Sequence, residues 1–490
     1  MSGGDEAHDP SDPSDHRPGF AREDMILEAT TDVHTILLAR PQVASTATMD
    51  AVSGLRQSPR MLETSLKTKI MTEVDRQFDD QTKVLADLVK IPSTRFREAP
   101  AQDMMARLFK QDGLGVDRWQ IKIDDLKHLP GYSPHSQDYD DAWNVVGAWR
   151  PSSPSSKNGG RSLILNGHID VVPEGPHDMW SRPPFEPAVK DGWMYGRGAG
   201  DMKAGLILNV FALRALRALG WRPAADVYQQ SVVEEECTGN GALACLQRGY
   251  RADAALIPEP SSGVLTVAQV GVMWFQVKVT GHPVHVYKAD AGSNAIESAF
   301  RLIQQLRELE KKWNEKKAHD THFHDHHHPV NFNVGKIAGG DWASSVPAWC
   351  TFDMRVGVLP SQNLKECRQE IEDLIRHAAA NDPFLGNNPP TVTWEGFQAE
   401  PFVLKNHEQV RVVLAEAHKT VFGDELLDKT STGTADNRFF GLYAGIPALV
   451  YGPQSDDIHG FDERVNLESI RKITQATALF IAEWCGLQAA

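Results

Sequence analysis

The chain has 490 residues, 41% of them hydrophobic and 8% aromatic, enough for two or three domains around a sizeable core. Its formal net charge of −15 opposes nucleic-acid binding, which needs a basic footprint. No apolar run approaches the roughly 18 residues of a membrane span, and the polar, acidic N-terminus does not have the pattern of a secretory signal.

Cys237, Cys245, Cys350, Cys367 and Cys485 are scattered and odd in number, with no CxxC spacing. That argues against a disulfide framework or a thiolate zinc site and fits a reducing, cytoplasmic compartment. Met1 to Gly19, rich in Asp, Ser, Pro and Gly, reads as disordered. Residues 1–65 as a whole are expected to form an extension.

The first globular element is a helix bearing Phe78, Val84, Leu85, Leu88 and Val89 at helical spacing, ended by Ile91-Pro92-Ser93. Strands come next at Trp143–Trp149 and Ser162–Leu165, then a helix at Ala204–Leu219 stopped by Gly220. A strand at Val227–Val233, a helix at Gly241–Arg248 and a strand at Ala254–Ile257 continue the alternation. This order predicts an α/β sheet with helices on both faces.

The pattern changes near Gly271. Strands at Val272–Thr280, Val330–Ile337, Trp349–Val358 and Thr391–Phe397 enclose helices at Asn294–Lys316 and Leu364–Asn381. Two helices among four strands predict a small α+β domain. After Glu400 the α/β pattern resumes with strand Pro447–Gly452 and helix Glu468–Leu487. The expected boundaries are therefore 66–269 and 399–490 for a split catalytic domain, and 270–398 for an insertion.

The chemistry-bearing residues sit where strands end. His168-Ile169-Asp170 comes after the strand Ser162–Leu165, at the edge where α/β sheets bind ligands. His168 can ligate a metal through one ring nitrogen while Asp170 binds the other N–H. Asp201 lies in a glycine-rich stretch just before a helix, where an N-cap is the plainer reading. Glu234-Glu235-Glu236 comes after an apolar strand. Three adjacent carboxylates are costly to gather there unless a cation balances them, although most acidic runs are solvated.

Glu259 comes after the strand Ala254–Ile257, and His459 after the strand Pro447–Gly452. Five separate junctions thus present a His or a carboxylate. Imidazole and carboxylate without thiolate suit a catalytic zinc, cobalt or manganese site. Six histidines crowd the segment 319–328. Their density invites a metal-binding reading, but a solvated loop is favoured by their position between a helix and a strand.

These motifs resemble the metal-dependent deacylase and exopeptidase family of acetylornithine deacetylase, succinyl-diaminopimelate desuccinylase, aminoacylase-1 and glutamate carboxypeptidase. The resemblance runs from about Phe78 to Ala482. It is carried by residues 167–173 (GHIDVVP), 195–198 (YGRG), 201–203 (DMK), the acidic run, 259–261 (EPS), 294–297 (NAIE), Gly433-Thr434 and His459.

The family implies a zinc-exopeptidase-like mixed sheet with an inserted ferredoxin-like lid and dimerisation domain. It implies two divalent ions, most often zinc, with cobalt or manganese as alternatives. His168 and Glu259 would hold one, Glu236 and His459 the other, and Asp201 would bridge them. Alignment on Gly241 makes Glu235 the general base and Glu236 a ligand, with Glu234 where relatives have Asp.

The resemblance also implies that His285, from the partner subunit of a homodimer, stabilises the oxyanion. Arg355, Gly433 and Thr434 would contact substrate. Two departures from the family pattern, Val286 after His285 and Ser345 in place of Asn, bear on substrate choice. The leading expectation is an amidohydrolase that removes an acyl group from an N-acyl amino acid or related small amide, with water attacking the carbonyl and Glu235 as base. The alternatives are a metallo-exopeptidase, a hydrolase of an unusual C–N bond such as a formamide, or an inactive paralogue. The last predicts a missing ligand or base, and none is missing.

Overall fold

A computed structural model describes residues 62–136, 139–151 and 160–490. The expected disorder at 1–19 and nearly all of the expected extension 1–65 lie outside the described residues.

The larger sheet has nine strands. At its centre run four parallel strands in the order Val227–Val232, Leu163–His168, Ala254–Ile257 and Ala448–Val450. The last two are short and apolar, and all four are buried along their whole length, as parallel strands covered on both faces require. Being parallel, all four end at one edge, so the segments beyond them converge there.

Helices Thr64–Val89, Ala204–Ala218, Glu408–Phe422 and Leu467–Cys485 pack together on one face. Helices Ala99–Gln111, Ile123–Leu126, Asn240–Gln247 and Asn437–Ala444 lie over the other. One continuous apolar core joins these layers. No helix among the described residues is long and apolar enough to cross a membrane.

Between strand Leu265–Gln269 and strand Phe402–Val403 of this sheet the chain builds a second sheet. Its strands are Gly271–Thr280, Phe332–Gly339, Trp349–Val358 and Thr391–Ala399. Their spatial order is second, third, first, fourth, and every pair is antiparallel. With helices Ala295–Glu315 and Leu364–Ala380 on one side, this is the ferredoxin-like βαββαβ arrangement. It has an apolar core of its own.

A loop of the larger domain, residues 133–136, docks on the second sheet. Gly396 N–H donates to the Pro134 carbonyl at 2.9 Å, and Gln398 N–H donates to Ser133 Oγ at 3.0 Å. Ser136 Oγ donates to Glu395 Oε1 at 2.5 Å.

Two expectations need correction. The strand expected at Ser162–Leu165 runs to His168, because Asn166, Gly167 and His168 keep pairing with Gln230, Ser231 and Val232. His168 is therefore the last strand residue rather than a loop residue. The strand expected at Pro447–Gly452 shortens to Ala448–Val450. All five cysteines are buried and free.

Candidate active site

The strand ends bring six side chains into one cluster. His168 Nε2 lies 3.1 Å from Asp201 Oδ1, 3.8 Å from Glu259 Oε1 and 3.9 Å from Glu235 Oε2. His459 Nε2 lies 3.1 Å from Glu236 Oε2 and 3.6 Å from Asp201 Oδ2. Asp201 therefore stands between the two histidines and turns one oxygen to each.

Close packing produces this convergence. Gly205 opens the helix after Asp201, and a Cβ there would come within 2.5 Å of the Pro258 carbonyl oxygen. Only glycine lets the Asp201 turn press against the segment carrying Glu259. Gly241 does the same beyond the acidic turn, where a Cβ would meet the Val233 carbonyl oxygen at 2.0 Å.

The three glutamates separate clearly. Glu234, with φ +71°, turns away from the cluster into the protein. Its carboxylate pairs with Arg95, whose Nη2 donates to Oε2 at 2.7 Å, and accepts from Tyr139 Oη and Thr238 Oγ1, both at 2.8 Å. Glu235 faces His168 and Glu259, and Glu236 faces His459. Glu234 is thus an anchor for the acidic turn.

Asp170 departs from its expected contact. His168 Nδ1 lies 2.8 Å from the Asp170 main-chain oxygen, whereas the Asp170 carboxylate stands 3.6 Å away. The carboxylate instead accepts the N–H of Glu236 at 3.1 Å and that of Glu235 at 3.4 Å. Asp170 orients the imidazole with its carbonyl and the acidic turn with its side chain. Asp201 does not cap its helix with its side chain either.

The charges show what the cluster needs. Burial pushes the carboxyls of Glu235 and Glu259 well above the usual range, and the acids around them add to the rise. Burial disfavours the His168 cation, yet Glu259, Asp201 and Glu235 together hold its pKa well above normal. Glu236 pushes His459 up to about 11. Asp201 is buried, but hydrogen bonds from both histidines drive its carboxyl below the usual range.

Acids and imidazoles so arranged favour positive charge at their centre. Two groups, His168, Asp201, Glu236 and His168, Glu235, Glu259, each place donor atoms within 4.8 Å of one another. An all-imidazole and carboxylate donor set of this kind fits divalent zinc, cobalt or manganese.

A cleft of about 780 Å³ opens from Glu235, Glu236 and His459 to the second sheet. Arg355, Gly433 and Thr434 line it. Arg355 Nη2 donates to the Thr432 carbonyl at 2.9 Å, and Arg355 makes no ion pair among the described residues. Burial lowers its pKa. Thr434 Oγ1 is buried without a hydrogen-bond partner. Trp274, opposite Arg355 in the sheet, packs edge-to-face on Phe397 at 5.2 Å and forms the aromatic part of the wall.

His285 is exposed and does not line this cleft. Its Nδ1 accepts the N–H of Tyr287 at 3.2 Å, and its backbone bridges to Ser345. A single chain therefore does not bring His285 to the cluster. The histidines of 319–328 disperse: His326 bonds to Thr430, His328 to Glu310 at 3.0 Å and His324 to Asp325 at 3.0 Å. They form no metal-holding group among the described residues.

Sequence reasoning misses Arg95 and Glu463, and reaches Arg197 and Asp436 only as members of the YGRG motif and of the 433–438 stretch. Asp436 is buried with neither carboxylate oxygen bonded, and burial pushes it up to about 7. Arg197 lies in the YGRG motif, but nothing in its spacing signals a partner.

Fold and cluster together define a two-sheet α/β protein with an imidazole and carboxylate cluster, suited to divalent metal, at a cleft. Residues 164–483 match the model for peptidase family M20/M25/M40, and the chain belongs to that family. It is 29% identical over 455 residues to the N-formyl-4-amino-5-aminomethyl-2-methylpyrimidine deformylase of Halalkalibacterium halodurans, covering 88% of this chain and 100% of that protein. It is 29% identical over 330 residues to the succinyl-diaminopimelate desuccinylase of Alkalilimnicola ehrlichii, covering 64% of this chain and 82% of the relative.

Among solved structures, the dipeptidase Dug1p of Saccharomyces cerevisiae superposes with a TM-score of 0.68 at 16% identity, covering 86% of this chain and 98% of that one. Human carnosine dipeptidase 1 gives 0.66 at 17%, covering 86% and 99%. The protein is a metal-dependent hydrolase acting on amide bonds.

Proposed function

We propose that the protein is a deacylase, removing a small acyl group from the nitrogen of an amino acid or a related small amine. Two divalent ions, zinc in the first place, would be held by His168 and Glu259 and by Glu236 and His459, with Asp201 shared. When bound, such ions polarise an amide carbonyl and lower the pKa of water. Glu235 stands beside this centre, on the cleft, with its carboxyl raised by burial. That raised value suits a base that takes a proton from water and then passes it to the departing amine nitrogen.

The observation that carries the substrate class is Arg355, a half-buried guanidinium on the cleft wall that makes no ion pair among the described residues. A carboxylate on the substrate would supply that partner through a bidentate pair. The deformylase and desuccinylase relatives, both named for removing acyl groups, support a deacylase over an exopeptidase.

Oxyanion stabilisation by His285 of the partner subunit requires a homodimer formed through the second sheet. Support comes from that region's exposed apolar residues, with Tyr287 at 72% and Trp342 at 74% exposure. Strand Phe332–Gly339 is also an open sheet edge. Free, buried cysteines fit a cytoplasmic enzyme.

A second reading is hydrolysis of a formamide on a heteroaromatic amine. It is favoured by the full-length match to the pyrimidine deformylase and by the Trp274–Phe397 wall. A kinetic panel separates the readings. We expect kcat/KM for N-acyl amino acids to exceed that for dipeptides by at least ~100-fold, with Arg355→Met lowering both, because both carry a carboxylate. Faster dipeptide cleavage would establish the exopeptidase. A heteroaryl formamide hydrolysed fastest, and equally well by Arg355→Met, would establish the second reading.

A further inference from the structure

Asp201 and His459 come from turns far apart in the chain, and neither lies on a strand of the large sheet. Glu463 lies between those turns and is fully buried. Its Oε1 accepts the N–H groups of Gly200 at 2.9 Å and Asp201 at 3.0 Å. Its Oε2 accepts the N–H of Gly198 at 3.1 Å and Arg197 Nη1 at 2.5 Å. Arg197, also buried, donates Nη2 to the Gly460 carbonyl, next to His459, at 2.9 Å. The circuit closes where Gly196 N–H donates to the Glu463 carbonyl at 2.9 Å.

One carboxylate thus organises the backbone of the Asp201 turn, and its guanidinium partner fixes the backbone of the His459 turn. A buried ion pair that only fills space is replaceable by apolar groups at little loss. Glu463 is different. Three main-chain N–H groups and one guanidinium depend on it, and charge-assisted bonds of this kind set geometry strongly.

We propose that Glu463 and Arg197 form a positioning clasp that fixes Asp201 relative to His459, and through them the second ion site, without touching ion or substrate. The proposal rests on the two-ion reading above. The first site depends on it less. His168 is a residue of a strand paired on both sides, and Glu259 is pressed against the helix at Gly205. His459 has no such support: it sits at φ +62° with its side chain 54% exposed. Supporting groups around a ligand shell commonly govern metal affinity by about 10–100-fold.

The test uses the full-length zinc-loaded protein in competition with a chelator of known affinity. Wild type should retain two zinc ions. In Glu463→Gln the dissociation constant of one ion should rise at least tenfold while the other stays within about threefold. Glu463→Asp, which keeps the charge but shortens the reach, should fall between and settles the question if Glu463→Gln does not fold. Turnover should drop in kcat with KM nearly unchanged. Wild-type affinity for both ions in both variants, or parallel loss of both ions from a variant with wild-type melting temperature, would overturn the clasp alone. A wild-type chain retaining fewer than two ions would overturn the two-ion reading and the clasp with it.

Discussion

The two halves of the cluster are built by different means. His168 closes a strand, where pairing with Val232 fixes it, and Glu259 lies two residues beyond the neighbouring parallel strand, in a segment pressed against Gly205. Glu236 and His459 belong to turns held by side chains: Asp170 under the acidic turn, Arg197 and Glu463 under the other. The sheet half owes its geometry to secondary structure. The turn half owes it to a few buried polar groups, and single substitutions there should act more selectively.

The largest effect should fall on the residue placed to move the proton, on the sheet half of the cluster. Glu235→Ala should lower kcat by about 10²–10⁴ while zinc content measured by elemental analysis stays at two. Near-normal turnover would remove Glu235 as the base and leave the sheet half holding ligands alone. Next, His285→Ala should cost about 10²–10³ in kcat with folding and metal content intact. Mixed dimers of His285→Ala with Glu235→Ala should regain activity, because one site per dimer is then complete. If mixing restores nothing, the oxyanion donor lies within a single chain.

Arg355→Met should raise KM for carboxylate-bearing substrates by roughly 10–100-fold with a small change in kcat, as for the loss of a charged hydrogen bond. The smallest effect on catalysis concerns Glu98, under the acidic turn. Burial first, and then the Asp170 charge, push its carboxyl from the ordinary 4.5 to about 8. The folded chain therefore keeps a proton that the unfolded chain releases above 4.5, so this group's contribution to stability falls as pH rises toward 8. Glu98→Gln should flatten that fall, by on the order of a few kcal/mol between about pH 5 and pH 8 in urea unfolding. A slope equal to wild type would show that Glu98 ionises freely in the fold.

The same division explains how much can be read from the residues alone. Strands such as Ala254–Ile257 announce themselves as short apolar runs, and the His and acidic residues just beyond their ends are legible as candidate ligands. The ferredoxin-like insertion is visible as four strands around two helices. Strand Gly115–Gln120 is not, because it is partly exposed along its length and shows no alternation.

Within the cluster, adjacency hides the roles. Nothing in Glu234-Glu235-Glu236 says that the first turns inward to Arg95, since that depends on a left-handed backbone and a partner 139 residues away. Glu463 is illegible for a related reason. Three of its four partners are main-chain N–H groups 262 to 265 residues earlier, and these carry no side-chain signature.

The seam at residues 133–136 bears on modularity. Replacing 270–398 with the corresponding part of a relative would leave behind the Pro134 carbonyl, Ser133 Oγ and Ser136 Oγ that now meet Gly396, Gln398 and Glu395. Ser133 is in turn locked to Asn240, just beyond the acidic turn, through bonds of 3.1 and 2.8 Å. The unit that can be exchanged intact is therefore discontinuous: the inserted sheet together with the loop at residues 133–136.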